Sequence, residues 1–286
     1  MSQPLLSLSV WPTAQETPRR QRSGRYLPLS ANHPAKMLPA VAKAAISAYT
    51  LPGDLVLDSM AGIGSTLVEA VHLGRDAIGV EYEPAWADLA WANLELAKRQ
   101  GATGHGEVVT GDARHLSALV DPAVRGLVAL VLTSPPYGGS VHGQVQARPG
   151  AGVAKAHWRY SADPANLAHQ PLGRLLQAMR EILAGAARLL RPDGFLAMAV
   201  RPYWRGGRLI DLPGALVRVG EAAGLALYER NVALLCGLRG DEVVPRASFF
   251  ALDQVRRARG RGVPRSVVAH EDLLVFRLVG TPEPSR

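Results

Sequence analysis

The feature that most constrains the fold is an apolar run that ends in two consecutive prolines. Residues 127–132 are all apolar, and Thr133-Ser134-Pro135-Pro136-Tyr137 follows at once. An unbroken apolar run of this length is typical of a strand buried on both faces, as in a parallel sheet. Prolines donate no ladder hydrogen bonds and restrict the residues before them, so the chain leaves the sheet in a stiff, extended turn. Because open α/β sheets bind ligands at the carboxyl ends of their strands, we expect Ser134 and Tyr137 to stand in a site.

The composition favours a basic protein of a reducing compartment. The chain has 286 residues, 48% of them hydrophobic, which is enough for one large domain. Its net charge of +8 favours a polyanionic partner. A single cysteine, Cys236, excludes an internal disulfide framework and a cysteine zinc site. No apolar stretch reaches the ~20 residues that span a bilayer, and the start lacks a signal-peptide pattern, so we expect a cytoplasmic protein without membrane or metal partners.

Three further short strands are predicted, and an acidic residue follows each of them. They are residues 55–57 before Asp58, residues 77–80 before Glu81, and residues 107–110 before Asp112. Polar residues that follow parallel strands gather at one edge of the sheet, where such folds hold their ligands. We therefore expect the three carboxylates in one binding site.

Two glycines separate the first of these strands from a helical segment. Gly62 and Gly64 allow the backbone to approach a ligand without interference from a Cβ atom. Strand, glycine turn and helix form the first half of a nucleotide-binding βαβ unit, in which an acidic residue about 20 positions on holds a ribose diol. Glu81 fits that role. An NAD-dependent oxidoreductase shares this arrangement and stays open at this point, although Leu67 stands where its third glycine would be.

Residues 134–137 resemble the Ser/Asp/Asn-Pro-Pro-Tyr signature of the amino-methyltransferases, which methylate exocyclic amino nitrogens of nucleic-acid bases from S-adenosylmethionine. A conjugated amino group is a poor nucleophile because its lone pair is delocalised into the ring. The resemblance implies that Ser134 and the Pro135 carbonyl accept its two hydrogens, with Pro136 holding the turn rigid. Positioning and electrostatics then supply the rate. Tyr137 would stack on a flipped base.

The resemblance extends to the cofactor positions. The glycine turn is similar to the Asp-Pro-x-x-Gly-x-Gly-Thr-Thr loop of these enzymes, with Ser59 and Ser65 as departures. His-Pro-x-Lys at 33–36 resembles the segment beside the methionine end of the cofactor, although a helix cap at Asn32 and a surface charge at Lys36 remain open. The resemblance implies that S-adenosylmethionine is bound by His33, Lys36, Asp58, Ala61, Gly62, Gly64, Thr66, Glu81, Tyr82, Asp112 and Ala113.

The domain organisation is predicted as a short arm followed by one domain. Residues 1–30 are Pro-rich and carry four arginines, as either a solvated tail or a phosphate-contacting arm. Residues 31–286 form a single methyltransferase domain with a substrate loop at 138–170 and a basic segment at 248–265. Basic and aromatic side chains suit phosphate contact and base stacking. Those predicted to bind nucleic acid are Arg148, Lys155, Trp158, Arg159, Tyr160, Arg256, Arg257 and Arg259.

The resemblance implies a class I, Rossmann-like methyltransferase fold: an α/β protein with a seven-stranded, mostly parallel sheet and helices on both faces. The serine of the tetrapeptide favours site-specific DNA methylation at cytosine N4. The alternatives are a tRNA or RNA guanine-N2 enzyme, a DNA adenine-N6 enzyme, or a nucleic-acid-binding protein without activity. Methylation of a ring carbon needs a nucleophilic cysteine, and Cys236 follows a predicted buried strand, so that chemistry is rejected. A monomer or a homodimer is expected.

Overall fold

The computed structural model describes residues 8–137, 144–148, 152–156, 163–247 and 249–280. Its strands are β1 (Val10–Trp11), β2 (Leu55–Asp58), β3 (Asp76–Glu81), β4 (Gly106–Thr110), β5 (Val128–Thr133), β6 (Gln144–Arg148), β7 (Gly152–Ala156), β8 (Leu190–Val200), β9 (Tyr203–Arg205), β10 (Arg208–Ile210), β11 (Leu225–Leu234), β12 (Cys236–Arg239), β13 (Glu242–Pro245) and β14 (His270–Leu278). Its α-helices are α1 (Pro18–Arg22), α2 (Pro39–Tyr49), α3 (Ser65–His72), α4 (Pro84–Arg99), α5 (Leu116–Leu119), α6 (Leu172–Ala187), α7 (Leu212–Ala222) and α8 (Phe249–Gly260).

Eight of these strands form one sheet in the order β1-β11-β14-β8-β5-β2-β3-β4. Within this sheet β14 is antiparallel to both of its neighbours, whereas the remaining pairs are parallel. The prediction of a mostly parallel α/β sheet is confirmed. The strands predicted from the apolar runs match β2, β3, β4 and β5 to within two residues.

The eighth strand was not predicted. Val10 and Trp11 pair in parallel with Val232 and Ala233 and extend the sheet at one edge. Two residues are too few to show a periodic pattern, and a strand this short depends on the partner that it meets across the fold. Residues from the predicted arm are therefore part of the sheet.

The core lies on both faces of the sheet, as the apolar run predicts. Every residue of β5 is buried. Leu130 and Leu132 belong to the apolar cluster that includes α2, α3 and α4, whereas Val131 belongs to the cluster with α6 and α7. Successive side chains of a strand point to opposite faces, so a strand covered on both sides must be apolar at every position.

Three two-stranded hairpins rise from the carboxyl edge of the sheet. The hairpin β6–β7 follows β5, β9–β10 follows β8, and β12–β13 follows β11. Each follows a strand that runs in the common parallel direction, so each begins at the edge where the site is expected. The segment predicted as a loop at 138–170 thus contains the hairpin β6–β7, and most of the basic segment 248–265 is α8 rather than a loop.

The arginines near the N-terminus do not form one basic surface. Arg22 donates through Nη2 to the Met37 carbonyl at 2.7 Å. Arg25 donates through Nε and Nη2 to the two oxygens of the buried Glu69, both at 2.7 Å. The Tyr26 hydroxyl donates to Glu69 Oε1 at 2.8 Å. These contacts hold the described part of the segment on the domain, which differs from the expected tail or phosphate-contacting arm.

Among the described residues, no helix has both the length and the apolar character needed to cross a membrane.

Removing the Arg25 guanidinium should destabilise the fold. Arg25→Ala leaves the buried Glu69 carboxylate with the Tyr26 hydroxyl as its remaining side-chain donor, at an expected cost of about 1–3 kcal/mol in the free energy of unfolding. Urea denaturation measures this change. The matched control is Arg19→Ala, an exposed arginine of the preceding helix α1, which we expect to change the free energy by no more than about 0.5 kcal/mol. Equal effects of the two substitutions would contradict a structural role for Arg25.

Candidate active site

A cavity of about 510 Å³ opens at the carboxyl edge of the sheet. Residues that end or follow the parallel strands line it, together with the segment that precedes α2. The predicted residues that it brings together are His33, Lys36, Asp58, Ala61, Gly62, Thr66, Glu81, Tyr82, Asp112, Ala113, Ser134, Pro135, Pro136 and Tyr137. The cavity therefore unites the predicted cofactor positions with the Pro-Pro turn. Gly64 does not line it.

The turn between β2 and α3 is shaped by Asp58 and by two glycines. Asp58 accepts from the Met60 N–H at 3.0 Å and from the Thr66 hydroxyl at 2.6 Å. Gly62 and Gly64 have φ angles of +55° and +79°, which residues other than glycine rarely adopt. A Cβ atom on Gly62 would also lie 3.2 Å from Nε2 of His33. Burial raises the pKa of Asp58 to about 6, against the opposing hydrogen bonds.

Glu81 connects the end of β3 to this turn. One of its oxygens accepts from the Gly62 N–H at 2.7 Å and the other from the Glu83 N–H at 2.9 Å. Burial raises the pKa of Glu81 to about 7 in spite of these two donors. Each carboxylate oxygen has a second lone pair. Glu81 therefore fixes the turn and still has acceptor capacity toward the cavity.

Two further predicted cofactor residues have partners that the sequence did not indicate. The Tyr82 hydroxyl donates to Asp163 at 2.6 Å, a contact that raises the pKa of Tyr82 to about 12. Asp112 accepts from the Arg114 N–H at 2.9 Å and from its guanidinium. Although partial burial opposes ionisation, Arg114 holds the pKa of Asp112 below its usual value. The adenine contact expected of Asp112 stays a prediction.

The segment before α2 closes another side of the cavity. His33 is buried and meets the Trp86 ring edge-on, with 4.7 Å between the centroids. Lys36 donates through Nζ to the carbonyls of Ala31 and His33 at 3.1 and 2.5 Å, and its desolvation lowers the pKa to about 8. Lys36 is thus not a plain surface charge. Asn32 ends a 3-10 turn and does not cap α2, whose N-cap is Leu38.

The Ser-Pro-Pro-Tyr turn begins immediately after β5. The Ser134 hydroxyl donates to the Ala199 carbonyl of the neighbouring strand β8 at 3.1 Å. A hydroxyl has one hydrogen and two lone pairs, so this contact leaves Ser134 as an acceptor toward the cavity. Tyr137 is 7% exposed; its ring meets Tyr203 edge-on at 5.8 Å, and the Arg201 guanidinium lies 5.6 Å from its centroid. This ring is more deeply buried than an open stacking platform would be.

The predicted nucleic-acid contacts are placed unevenly. Trp158, Arg159 and Tyr160 lie outside the described residues. Arg148 is on β6 and Lys155 on β7, and their side chains also lie outside the described part. The remaining three are exposed on α8: Arg256, Arg257 and Arg259. Arg257 forms an i,i+4 pair with Asp253 at 2.8 Å.

Five charged residues that line the cavity were not predicted as site residues: Arg22, Arg114, Arg201, Arg246 and Glu271. Arg201 follows β8, Arg246 follows β13, and Glu271 lies near the start of β14. For Glu271, the direction of the last strand was a signal that could have revealed its position. An antiparallel strand begins at the edge where its parallel neighbours end, so its first residues face the site. In the described ranges, no group of three or more His, Cys, Asp or Glu residues is arranged to hold a metal ion.

The sheet order, the glycine turn and the acidic strand ends define a class I methyltransferase fold. Residues 6–91 match the family model described as DNA methylase. The structure is similar to the crystal structure of TrmN from Thermus thermophilus, with a TM-score of 0.51 and 18% identity over 91% of this chain and 53% of that one. At this identity the structural similarity concerns the fold alone.

Two curated relatives match shorter segments. The chain is 32% identical to the tRNA (guanine(10)-N2)-dimethyltransferase of Methanocaldococcus jannaschii over 107 residues, which are 37% of this chain and 30% of the relative. It is 35% identical to the DNA adenine methyltransferase YhdJ of Escherichia coli K12 over 71 residues, which are 25% of this chain and 24% of the relative. The matches thus span less than a third of either relative. Both relatives are named for methyl transfer to a nucleic-acid base, and the matching family model is described as DNA methylase.

Proposed function

We propose that this protein transfers the methyl group of S-adenosylmethionine to an exocyclic amino nitrogen of a nucleic-acid base. The observation that carries the proposal is that Ser134 lines the cavity while its hydroxyl hydrogen is donated to the Ala199 carbonyl, which leaves the hydroxyl oxygen as an acceptor. An amino group presents hydrogens, so its complement is a set of acceptors. The same cavity contains the glycine turn and Glu81.

The cofactor side of the cavity fits S-adenosylmethionine. Its volume of about 510 Å³ lies within the range of small-molecule sites. The bare backbone of Gly62, which a Cβ atom would crowd against His33, permits close approach of a ligand. Glu81 would accept from the ribose hydroxyls, and Asp112 and Tyr82 would lie near the adenine. When bound, the cofactor supplies a methyl group activated by a positively charged sulfur.

The Pro-Pro turn would activate the acceptor nitrogen. Ser134 Oγ and the Pro135 carbonyl would accept hydrogen bonds from the amino group. These two bonds would hold the nitrogen with its lone pair toward the methyl group. Both acceptors sit on a rigid turn, so they need no reorganisation during the reaction. Tyr137 would contact the face of the base, with Arg201 and Tyr203 fixing its ring.

The hairpins at the carboxyl edge suit the capture of a polyanion. Arg205 and Arg208 are exposed on β9–β10, and Arg239 is exposed on β12–β13. Arg265 lies over the Trp204 ring of the first of these hairpins, 4.3 Å from its centroid. Phosphate contacts from such arginines would position a nucleic acid over the cavity without reading its sequence.

For the base, the proposal is cytosine N4 in DNA, which the serine of the tetrapeptide favours. The relatives named for tRNA guanine-N2 and DNA adenine methylation make these two bases the second candidates. A nucleic-acid-binding protein without activity would have no need for an acceptor turn beside the cofactor cavity.

Incubation with labelled S-adenosylmethionine and separate DNA and RNA pools, followed by nucleoside mass spectrometry, tests the proposal. N4-methylcytosine in the DNA pool is expected, and a lack of label in both pools would refute base methylation.

Binding of DNA should depend steeply on salt and on the arginines of β9–β10. Replacement of both Arg205 and Arg208 by alanine should reduce the log–log salt slope of the affinity by about 2, since each phosphate contact contributes about 1. Fluorescence anisotropy across a salt series measures this slope. The matched control is Arg125→Ala, an exposed arginine before the start of β5 at the opposite edge of the sheet. An unchanged slope in the double variant, or an equal change in the control, would remove this hairpin from the interface.

A further inference from the structure

The cavity extends past the Ser-Pro-Pro-Tyr turn, away from the predicted cofactor positions. Arg201 follows β8 and Glu271 lies near the start of β14, both on the far side of β5 from β2 and β3. Asp272 pairs with Val200, so Glu271 and Arg201 lie opposite each other just beyond the ladder. Neighbouring strands are about 4.8 Å apart, and β14 is four strands from β3, so the backbones of Glu271 and Glu81 are roughly 19 Å apart. This second part of the cavity is therefore distinct from the expected ribose position.

Three arginines line this second part, and we call them the cationic lobe: Arg22, Arg201 and Arg246. Among the described residues, none of the three forms an ion pair with a carboxylate. Glu69 is close to Arg22, but both of its oxygens accept from Arg25 at 2.7 Å. Glu271 stands opposite Arg201 without pairing with it. The positive charge of the lobe is thus not balanced by an ion pair in the fold.

The lobe also has hydrogen-bond donors that the fold does not use. Arg22 donates to the Met37 carbonyl at 2.7 Å and Arg246 donates to the Gln15 carbonyl at 3.2 Å. The Nε atoms of Arg22 and Arg246 are buried and have no hydrogen-bond partner in the described part of the chain. Arg265 has an equally unpaired Nε, but it does not line the cavity. The lobe differs because unused donors and unbalanced charge occur together in a cavity.

This combination fits an oxyanion. Like charges that are gathered in a partly buried cleft repel one another and attract counter-ions. Desolvation lowers the pKa of Lys36 to about 8, and the charge of the nearby Arg22 contributes to this shift. The planar guanidinium group presents parallel N–H donors that match the oxygens of a phosphate. A phosphate would supply both the missing acceptors and the missing negative charge.

The surface beside the lobe indicates where the phosphate comes from. Arg201 lies two residues before the hairpin β9–β10, and Arg246 directly follows the hairpin β12–β13. These are the hairpins with the exposed arginines Arg205, Arg208 and Arg239. Positive charge therefore continues from the proposed nucleic-acid surface into the cavity. A nucleotide whose base enters the cavity brings its own phosphate along, joined to the base through one sugar.

We propose that the cationic lobe is a phosphate subsite, which holds the backbone phosphate of the nucleotide whose base enters the cavity and in which Arg246 is a direct ligand. This inference rests on the proposed function. The base would reach Ser134 while its phosphate contacts the guanidinium groups, so the lobe would hold the nucleotide out of the base stack. The exposed arginines of the two hairpins would contact neighbouring phosphates.

The test uses oligonucleotides that contain the methylated position and carry one uncharged methylphosphonate linkage each, either at the target nucleotide or several nucleotides away. For the unmodified protein, the linkage at the target should lower kcat/KM about tenfold or more, because hydrogen bonds to a charged acceptor are lost. In Arg246→Ala this penalty should shrink by about threefold or more, since one partner of the phosphate is already absent. Arg246→Lys should keep an intermediate penalty, because it retains the charge without the fork.

The matched control is Arg239→Ala, on the same hairpin but outside the cavity lining, which should keep the full penalty at the target linkage. Calorimetry should show that Arg246→Ala binds S-adenosylmethionine as the unmodified protein does, which also shows that the variant is folded.

Two results would overturn the assignment while leaving base methylation intact. One is an unchanged penalty at the target linkage in Arg246→Ala. The other is a tenfold loss of cofactor affinity with the full penalty retained, which would place the carboxylate of the cofactor in the lobe. Absence of methylation on every base would refute the proposed function and, with it, this inference.

Discussion

Replacing Ser134 with alanine should lower the rate of methyl transfer on the order of 100-fold while changing substrate affinity little. The Ser134 hydroxyl is held in place by its hydrogen bond to the Ala199 carbonyl, and Ser134 lines the cavity. Deleting one preorganised polar group at a reacting centre commonly costs about 10²–10³ in turnover. Single-turnover methylation separates the chemical step from binding.

The control for this prediction is Ser117→Ala, because the Ser117 hydroxyl is buried but does not line the cavity. Its rate should match that of the unmodified protein. If Ser134→Ala left the chemical step unchanged, the interpretation of this turn as an amino-group acceptor would be wrong.

Tyr137 should behave differently from Ser134, because its proposed role is contact with the face of the base. Tyr137→Ala should weaken substrate binding by roughly 1–3 kcal/mol, the usual contribution of one stacked base. Tyr137→Phe should keep most of that affinity, because stacking uses the ring. The ring is already held between Tyr203 and Arg201. An equal loss of substrate affinity in Tyr137→Phe and Tyr137→Ala would show that the hydroxyl is the important group and would contradict stacking.

Replacing Glu81 with alanine should weaken S-adenosylmethionine binding by about 1–3 kcal/mol, as expected when hydrogen bonds to a charged acceptor are lost. The carboxylate acts twice in the site. It would accept from the ribose hydroxyls, and it holds the glycine turn through the Gly62 N–H at 2.7 Å. Titration calorimetry measures the affinity. Glu107→Ala, on the exposed side of the neighbouring strand β4, is the matched control and should bind normally.

The same carboxyl group predicts how cofactor affinity depends on pH. The pKa of Glu81 is raised to about 7, chiefly by burial. The ionised form has more acceptor capacity, and its fraction falls as the pH falls through 7. The affinity for S-adenosylmethionine should therefore increase as the pH rises from about 6 to 8. The Glu81→Gln substitution should remove this increase. A flat profile in the unmodified protein would exclude Glu81 from direct contact with the cofactor.

Local patterns in the sequence determined the centre of the fold and one half of the site. The apolar runs that became β2, β3 and β5 are contiguous, so burial on both faces can be read from neighbouring residues alone. The glycine turn is also local, because a positive φ angle favours glycine whatever surrounds it. The positions of Asp58 and Glu81 followed, since a residue after a parallel strand stands at a known edge.

The tertiary structure alone decided which distant side chains meet. Arg25 contacts Glu69, which is 44 positions away in the sequence. No pattern near either residue indicates that Arg25 pairs with a buried carboxylate instead of belonging to a solvated arm. The two residues of β1 form a strand because β11 offers them an edge. Glu271 stands in the cavity because β14 is antiparallel within an otherwise parallel sheet. Each of these outcomes depends on strand order and direction, which are set by packing over the whole chain and leave no mark on a short stretch of residues.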